Sequence, residues 1–345
     1  MVRTGDPGLV ATAATRAGSF NANDSLTSVM ADEPETTVAV ACQGGGSHTA
    51  FTAGALCEIV RNRPDGYEIG ALSGTSGGAI CAALAWDGLR RGDPSGAVDR
   101  LEGFWAEVAA EAPWDRFVND TALLGSRLTA EFGSFGVSPY RHGGSVAARR
   151  QLRGTIERHV RFDDGTPTSP PHLFVGAVNV ESGSFEVFVD GEAGSTALLA
   201  SAAVPTLFRA VEIDGAGHWD GLFSQNPPIR HFVTEVPATE KPDEMWILRI
   251  NPVETGETPE SLDDIADRRN ELSGNLSLEQ ERHTIESIND LIEEGVIDDE
   301  RYKPIELREV ELDLELDVQS KLDRSPRFIE RLMRRGAEKA PELWR

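Results

Sequence analysis

Twice between Val38 and Trp86 a short apolar run ends in a glycine-rich turn and gives way to a helical apolar pattern. The first run, Val38-Ala39-Val40-Ala41-Cys42, breaks at Gly44-Gly45-Gly46, after which Phe51, Ala55, Leu56, Ile59 and Val60 recur at helical spacing as far as Pro64. The second, Ile69-Gly70-Ala71-Leu72-Ser73, enters Gly74-Thr75-Ser76-Gly77-Gly78 and continues as Ala79 to Trp86, apolar on nearly every side. Strands that are apolar throughout belong to parallel sheets covered on both faces, and a helix without a polar face belongs in the interior. Strand alternating with helix therefore predicts an α/β chain with a mainly parallel central sheet and helices on both sides.

Further elements follow the same logic. Helices are predicted over residues 97–112, Val146–His159 and Ser195–Ala203, with strands at Leu173–Val180, Ser184–Val189 and Met245–Ile250. The first two of those strands form a hairpin turning at Ser182-Gly183. Residues 113–144 show no period and read as a surface excursion or lid. The part from 255 to 345 is acidic and helical, with a strand over Ile305 to Leu316 exposed on one face and a last helix from Pro326 to Ala337. Residues 1–36 are small and polar, are expected to be a disordered tail, and contain Met30 as an alternative start. Residues 37–345 are expected to form a single domain, since no linker interrupts them.

Charge removes some functions. The formal net charge is −24, from 57 acidic and 33 basic residues, and only Lys241, Lys303, Lys321 and Lys339 are lysines. Nucleic acid is thereby excluded as a partner, because phosphate binding depends on displacing counterions with Lys and Arg. Such a surface suits high ionic strength, where a Debye length of about 3 Å near 1 M salt screens self-repulsion. An Arg-for-Lys bias from GC-rich coding, plus an acidic C-terminal part, explains it equally well. The three cysteines, Cys42, Cys57 and Cys81, sit in apolar sequence without disulfide or metal spacing, which points to a reducing, cytoplasmic setting and to no metal or other cofactor. No run approaches the length needed to span a membrane.

The pentapeptide Gly74-Thr75-Ser76-Gly77-Gly78 has the Gly-x-Ser-x-Gly pattern of a nucleophile elbow. Gly74 and Gly78 remove Cβ atoms where the chain folds back, and the helix behind Ser76 aims its amides at developing negative charge. With 34 glycines in the chain the pattern arises easily by chance, so its weight comes from its place between an apolar strand and an apolar helix. Gln43-Gly44-Gly45-Gly46-Ser47-His48 leaves unshielded amides ahead of a helix. Thr49 breaks a Gly-x-Gly-x-x-Gly match and no Gly-Lys-Ser/Thr follows, which excludes dinucleotide and P-loop readings. A tight structural turn or an oxyanion hole remains. As base for Ser76, a histidine late in the chain is the usual expectation, but His283 lies in a charged helix. Asp220, in His218-Trp219-Asp220-Gly221-Leu222, is the better candidate. The other Asp-Gly pairs, at Asp65, Asp87, Asp164, Asp190 and Asp214, read as turns.

A glycine-rich loop after the first strand, Gly-x-Ser-x-Gly after the second and a late Asp-Gly together resemble the patatin-like phospholipases, over roughly Val38 to Ile250. The resemblance implies a three-layer α/β/α fold and a Ser-Asp dyad without histidine. It makes Ser76 the nucleophile and Asp220 the general base, with the amides of Gly45, Gly46 and Ser47 as oxyanion hole and Gly44 and Gly221 as supporting glycines. Two departures stand out. The family loop usually continues with a basic residue and glycine, where this chain has His48 and Thr49, and the family's Asp-Gly-Gly or Asp-Gly-Ala is Asp220-Gly221-Leu222 here. The implied activity is lipid acyl-ester hydrolysis, with transient contact at a membrane surface. The alternatives are acyl transfer by the same dyad, or a non-catalytic lipid-binding protein on the same fold.

Overall fold

The computed structural model describes residues 36–109, 138–141, 144–162, 170–205, 207–234, 236, 238–256, 258–297 and 301–345. Most of the expected tail and most of the expected lid lie outside these residues. Strand β1 (Thr36–Cys42) is buried from Val38 onward on both sides. Its side chains alternate, as a pleated strand requires. Val38, Val40 and Cys42 enter a core shared with α1 (Ala50–Asn62), α2 (Gly77–Leu89) and α3 (Pro94–Val108). Ala39 and Ala41 face the other way, toward Phe232 on α6 (His231–Thr234) and Leu278 and Ile285 on α7 (Leu262–Glu293). On β7 (Glu244–Arg249) the same alternation separates Trp246 and Leu248 from Met245 and Ile247. The result is a three-layer α/β/α fold, with the C-terminal helix α8 (Pro326–Lys339) joining the first layer through Ile329 and Leu332.

The remaining strands are β2 (Tyr67–Gly74), β3 (His172–Asn179), β4 (Phe185–Val189), β5 (Val211–Ile213), β6 (Ala216–Asp220) and β8 (Glu306–Glu311). The sheet order is β5-β6-β3-β2-β1-β7-β8, and β3, β2, β1, β7 and β8 run parallel. Strand β3 carries β4 antiparallel along one edge. Its other edge is divided: β2 pairs with His172–Val175, and β6 runs antiparallel against Ala177–Asn179. Strand β6 thus occupies the space just beyond the carboxyl end of β2.

Helices α4 (Gly144–His159) and α5 (Ser195–Ser201) complete the described set, the second ending two residues earlier than expected. Several boundaries shift for local reasons. Helix α3 starts at Pro94 rather than at residue 97, because Asp93 caps it by accepting from the Gly96 amide (2.8 Å). Asp87, read as a turn residue, lies inside α2, fully buried, where Arg90, Arg91 and Arg100 converge on its carboxylate at 2.9, 2.9 and 3.0 Å. After Asn226 the chain makes a single helical turn at His231–Thr234. Strand β8 is confined to Glu306–Glu311. All three cysteines are free and buried. No helix among the described residues is long and apolar enough to cross a membrane.

Candidate active site

The division of the β3 edge brings the two chemically interesting motifs together. Gly74, the last residue of β2, pairs with Val175, and Asp220, the last of β6, pairs with Ala177. Ser76 and Asp220 therefore leave the sheet at neighbouring rungs of one strand. Ser76 stands at the sharp turn into α2 with φ 56° and ψ −130°, a conformation costing on the order of 1–3 kcal/mol for a residue with a side chain. The turn is held from several sides. The Ser76 amide donates to Ser201 Oγ (2.9 Å), which itself donates to the Gly176 carbonyl (2.6 Å), and Thr75 Oγ1 donates to the Gln225 carbonyl (2.6 Å). A Cβ on Gly74 would sit 2.5 Å from Ala79 Cα, which is the collision the elbow pattern avoids. Because the Ser76 side chain makes no capping bond to α2, its hydroxyl is free for another partner.

That partner is Asp220. Its carboxylate is 1% exposed and accepts from the Leu222 amide (2.9 Å), and the Ser76 hydroxyl beside it favours its ionised form. Burial pushes its pKa up to about 7, against the opposing pull of the Leu222 amide, the Ser76 hydroxyl and the positive charge of Lys321. Gly221 packs so that a Cβ would lie 2.6 Å from the Gly176 carbonyl oxygen, and Leu222 follows it in the turn.

The glycine loop lies against the elbow. A Cβ on Gly44 would meet the Thr75 carbonyl at 2.4 Å and Ser76 Cβ at 2.9 Å. Gly46 has φ +59°, in the region that favours glycine. The Gly44 amide is used internally, donating to Asn226 Oδ1 (2.7 Å). Among the described residues no protein acceptor is assigned to the amides of Gly45, Gly46 and Ser47. The loop is anchored by Gln43, fully buried, whose Oε1 accepts from the amides of Ile250 and Asn251 (2.9 Å each) and whose Nε2 donates to Asn275 Oδ1 (2.9 Å).

Four of the described histidines are engaged elsewhere. His48 bonds Ser320 Oγ at 2.7 Å, and because that hydroxyl donates to the Asp317 carbonyl (2.5 Å), His48 Nε2 is the protonated nitrogen. Burial, then the Lys321 charge, depresses its pKa to about 3, so the ring is neutral. His218 faces Glu186 Oε2 (2.7 Å) and the Ala216 carbonyl (3.0 Å), His172 faces Asp190 (2.8 Å) and Glu240 (3.0 Å), and His159 faces Glu107 (3.1 Å).

Sequence reasoning missed Ser201, Gln43 and Asn226 as residues that hold the site. Gln43 opens the glycine-loop stretch and Asn226 lies just beyond Leu222, positions that hint at them, whereas nothing in the sequence around Ser201 singles it out. Lys321 was visible only as one of four lysines. Among the described residues no group of three or more His, Cys, Asp or Glu could hold a metal ion.

The chain is similar to the crystal structure of VipD from Legionella pneumophila, at 14% identity and TM-score 0.42, covering 90% of this chain and 67% of that one. It is also similar to the type III effector protein ExoU, at 13% identity and TM-score 0.25, with 88% of this chain and only 54% of that one covered. A search of curated proteins finds no match. The family profile of patatin-like phospholipases matches residues 40–233, more than half of the sequence, and the chain belongs to that family.

Proposed function

We propose that the chain is a serine acyl-ester hydrolase acting on lipid esters through a Ser76-Asp220 dyad. The observation that carries this reading is that β2 and β6, meeting on one edge of β3, set Ser76 beside a buried carboxylate that burial pushes up to about 7. A base poised near the operating pH combines a usable ionised fraction with real affinity for a proton. The Ser76 hydroxyl oxygen attacks the ester carbonyl carbon while its proton passes to Asp220. The carbonyl oxygen becomes negative and takes hydrogen bonds from the Gly45, Gly46 and Ser47 amides. When the tetrahedral carbon collapses, the bond to the alkoxide breaks, the alkoxide receives the proton from Asp220, and acyl-Ser76 remains. Water then gives a proton to the same carboxylate as its oxygen attacks the acyl carbon, and when the bond to Ser76 Oγ breaks that oxygen takes the proton back from Asp220 and the fatty acid leaves.

A fluorophosphonate probe tests the nucleophile directly. Wild type is expected to be labelled and Ser76→Ala not; an unlabelled wild type, or full labelling of the variant, refutes the reading. Asp220→Asn is expected to keep its fold and lose turnover of a fatty-acyl ester, and retained turnover would instead point to a histidine base. Supplying an alcohol acceptor and analysing the products separates hydrolysis from acyl transfer.

A further inference from the structure

The matched family region ends at residue 233, yet the turn Val318–Leu322, ahead of α8, is built into the glycine loop. A Cβ on Gly46 would sit 2.4 Å from the Lys321 carbonyl, and one on Gly45 would sit 3.7 Å from Lys321 Cε. Ser320, 8% exposed, takes the His48 hydrogen bond, and Phe328 packs edge-on against the His48 ring (6.1 Å). Lys321 itself is half-buried, and its Nζ donates to Asn251 Oδ1 (2.9 Å). Asn251 is 1% exposed and fixed through its amide to Gln43, the residue from which the glycine loop departs. The turn is held in place by α8, whose Gly336 lies so close to α1 that a Cβ would fall 1.9 Å from the Phe51 carbonyl.

Resting on the Ser76-Asp220 reading, we infer that Lys321 is a positioning residue of the active site, its ammonium supplying the positive charge that the loop's own His48 does not. Three observations converge on it. The stem and backbone of Lys321 cover Gly45 and Gly46, its Nζ is anchored on the strand end that holds the loop, and the only imidazole in the loop is locked as a neutral donor to Ser320. The charge of Lys321 is felt by both titratable groups around it in the site, Asp220 on β6 and His48 on the loop turn. On its own turn, Asp317 caps by accepting from the Ser320 amide (2.7 Å) and Asp323 accepts from the Ser325 amide (2.8 Å). Acting through this field, the ammonium adds to the Leu222 amide and the Ser76 hydroxyl in favouring the ionised form of the buried Asp220, and lowers the energy of negative charge at the loop amides.

The test compares Lys321→Met, which keeps a stem over Gly45, with Lys321→Arg, which keeps the charge, by ester kinetics and by the pH dependence of fluorophosphonate labelling. Lys321→Met is expected to lose about tenfold or more in kcat with KM changed by about twofold or less, and to move the acid limb upward by about 0.5 pH or more. Lys321→Arg is expected to restore most of the rate and the wild-type limb. A Met variant with wild-type rate and limb overturns the inference, as does an Arg variant as slow as Met with the limb unmoved, which would mean packing alone. If Lys321→Met does not fold, Asn251→Ala, which removes the anchor of the ammonium, carries the same expectation, and a wild-type rate and limb there overturn it. Failure of wild type to be labelled at Ser76 strikes the dyad reading, whereas normal labelling with indifferent Lys321 variants strikes this inference alone.

Discussion

Burying Asp220 sets activity against stability, and Asp220→Asn exposes the conflict in one measurement. The carboxyl's reference value of 3.8 rises to about 7 in the folded protein, roughly 3 pH units at about 1.4 kcal/mol each, or on the order of 4 kcal/mol. Because the folded-state value is raised, the folded protein holds this proton more tightly than the unfolded chain. The associated stability is fully present below about pH 4 and is lost as pH rises toward 7. At 1% exposure, solvent screening takes little from this figure. Asparagine keeps the shape and the bond from the Leu222 amide but has no charge to desolvate. The stability difference between variant and wild type should therefore grow in favour of the variant by on the order of 4 kcal/mol between about pH 4 and pH 8, and be flat above. Urea unfolding of both proteins across that range reads this directly, since all other titrating groups cancel in the difference. The same carboxylate sets the rate: kcat/KM of wild type should rise about tenfold from pH 6 to pH 8, following the ionised fraction of a base with pKa about 7. A stability difference that does not change with pH refutes the reasoning, and so does activity already at its plateau at pH 5.

Other residues make separate predictions. Gly44→Ala should cost about 10²-fold or more in rate, since its Cβ would fall 2.4 Å from the Thr75 carbonyl and displace the loop from Ser76; ester kinetics on folded variant checks this. His48→Gln should flatten the acid unfolding of the protein between about pH 6.5 and pH 3, because a histidine depressed to about 3 gives stability that is lost as pH falls through that window. Arg249, fully buried and bonded to Glu309 (2.5 Å) and Glu279 (2.6 Å), ties β7 to β8 and α7, so Arg249→Ala should destabilise by about 3–5 kcal/mol in urea unfolding. If the charge of −24 is a salt adaptation, stability should rise steeply with KCl, and a protein fully stable in dilute buffer rules that adaptation out.

Local chemistry determined much of this protein from sequence alone. The apolar runs Val38–Cys42 and Ile69–Ser73 had to be buried strands, and glycines at 74 and 78 had to mark a place where chains nearly touch, because both properties reside in consecutive residues. The candidate residues Ser76 and Asp220 were legible for the same reason, each lying in a short motif. What tertiary structure alone decided is how they meet. Only the sharing of one β3 edge by β2 and β6 brings Asp220 beside Ser76, and β6 is too short to announce itself by period. Asp87 looked like a turn residue until three arginines, two from the turn after α2 and one from α3, closed around it. Ser201 and Lys321 act at the site from 125 and 245 positions beyond Ser76, a separation over which sequence pattern says nothing about contact. The pKa of Asp220 is likewise a property of what surrounds it, since desolvation is set by packing from every side and not by the neighbours in the chain.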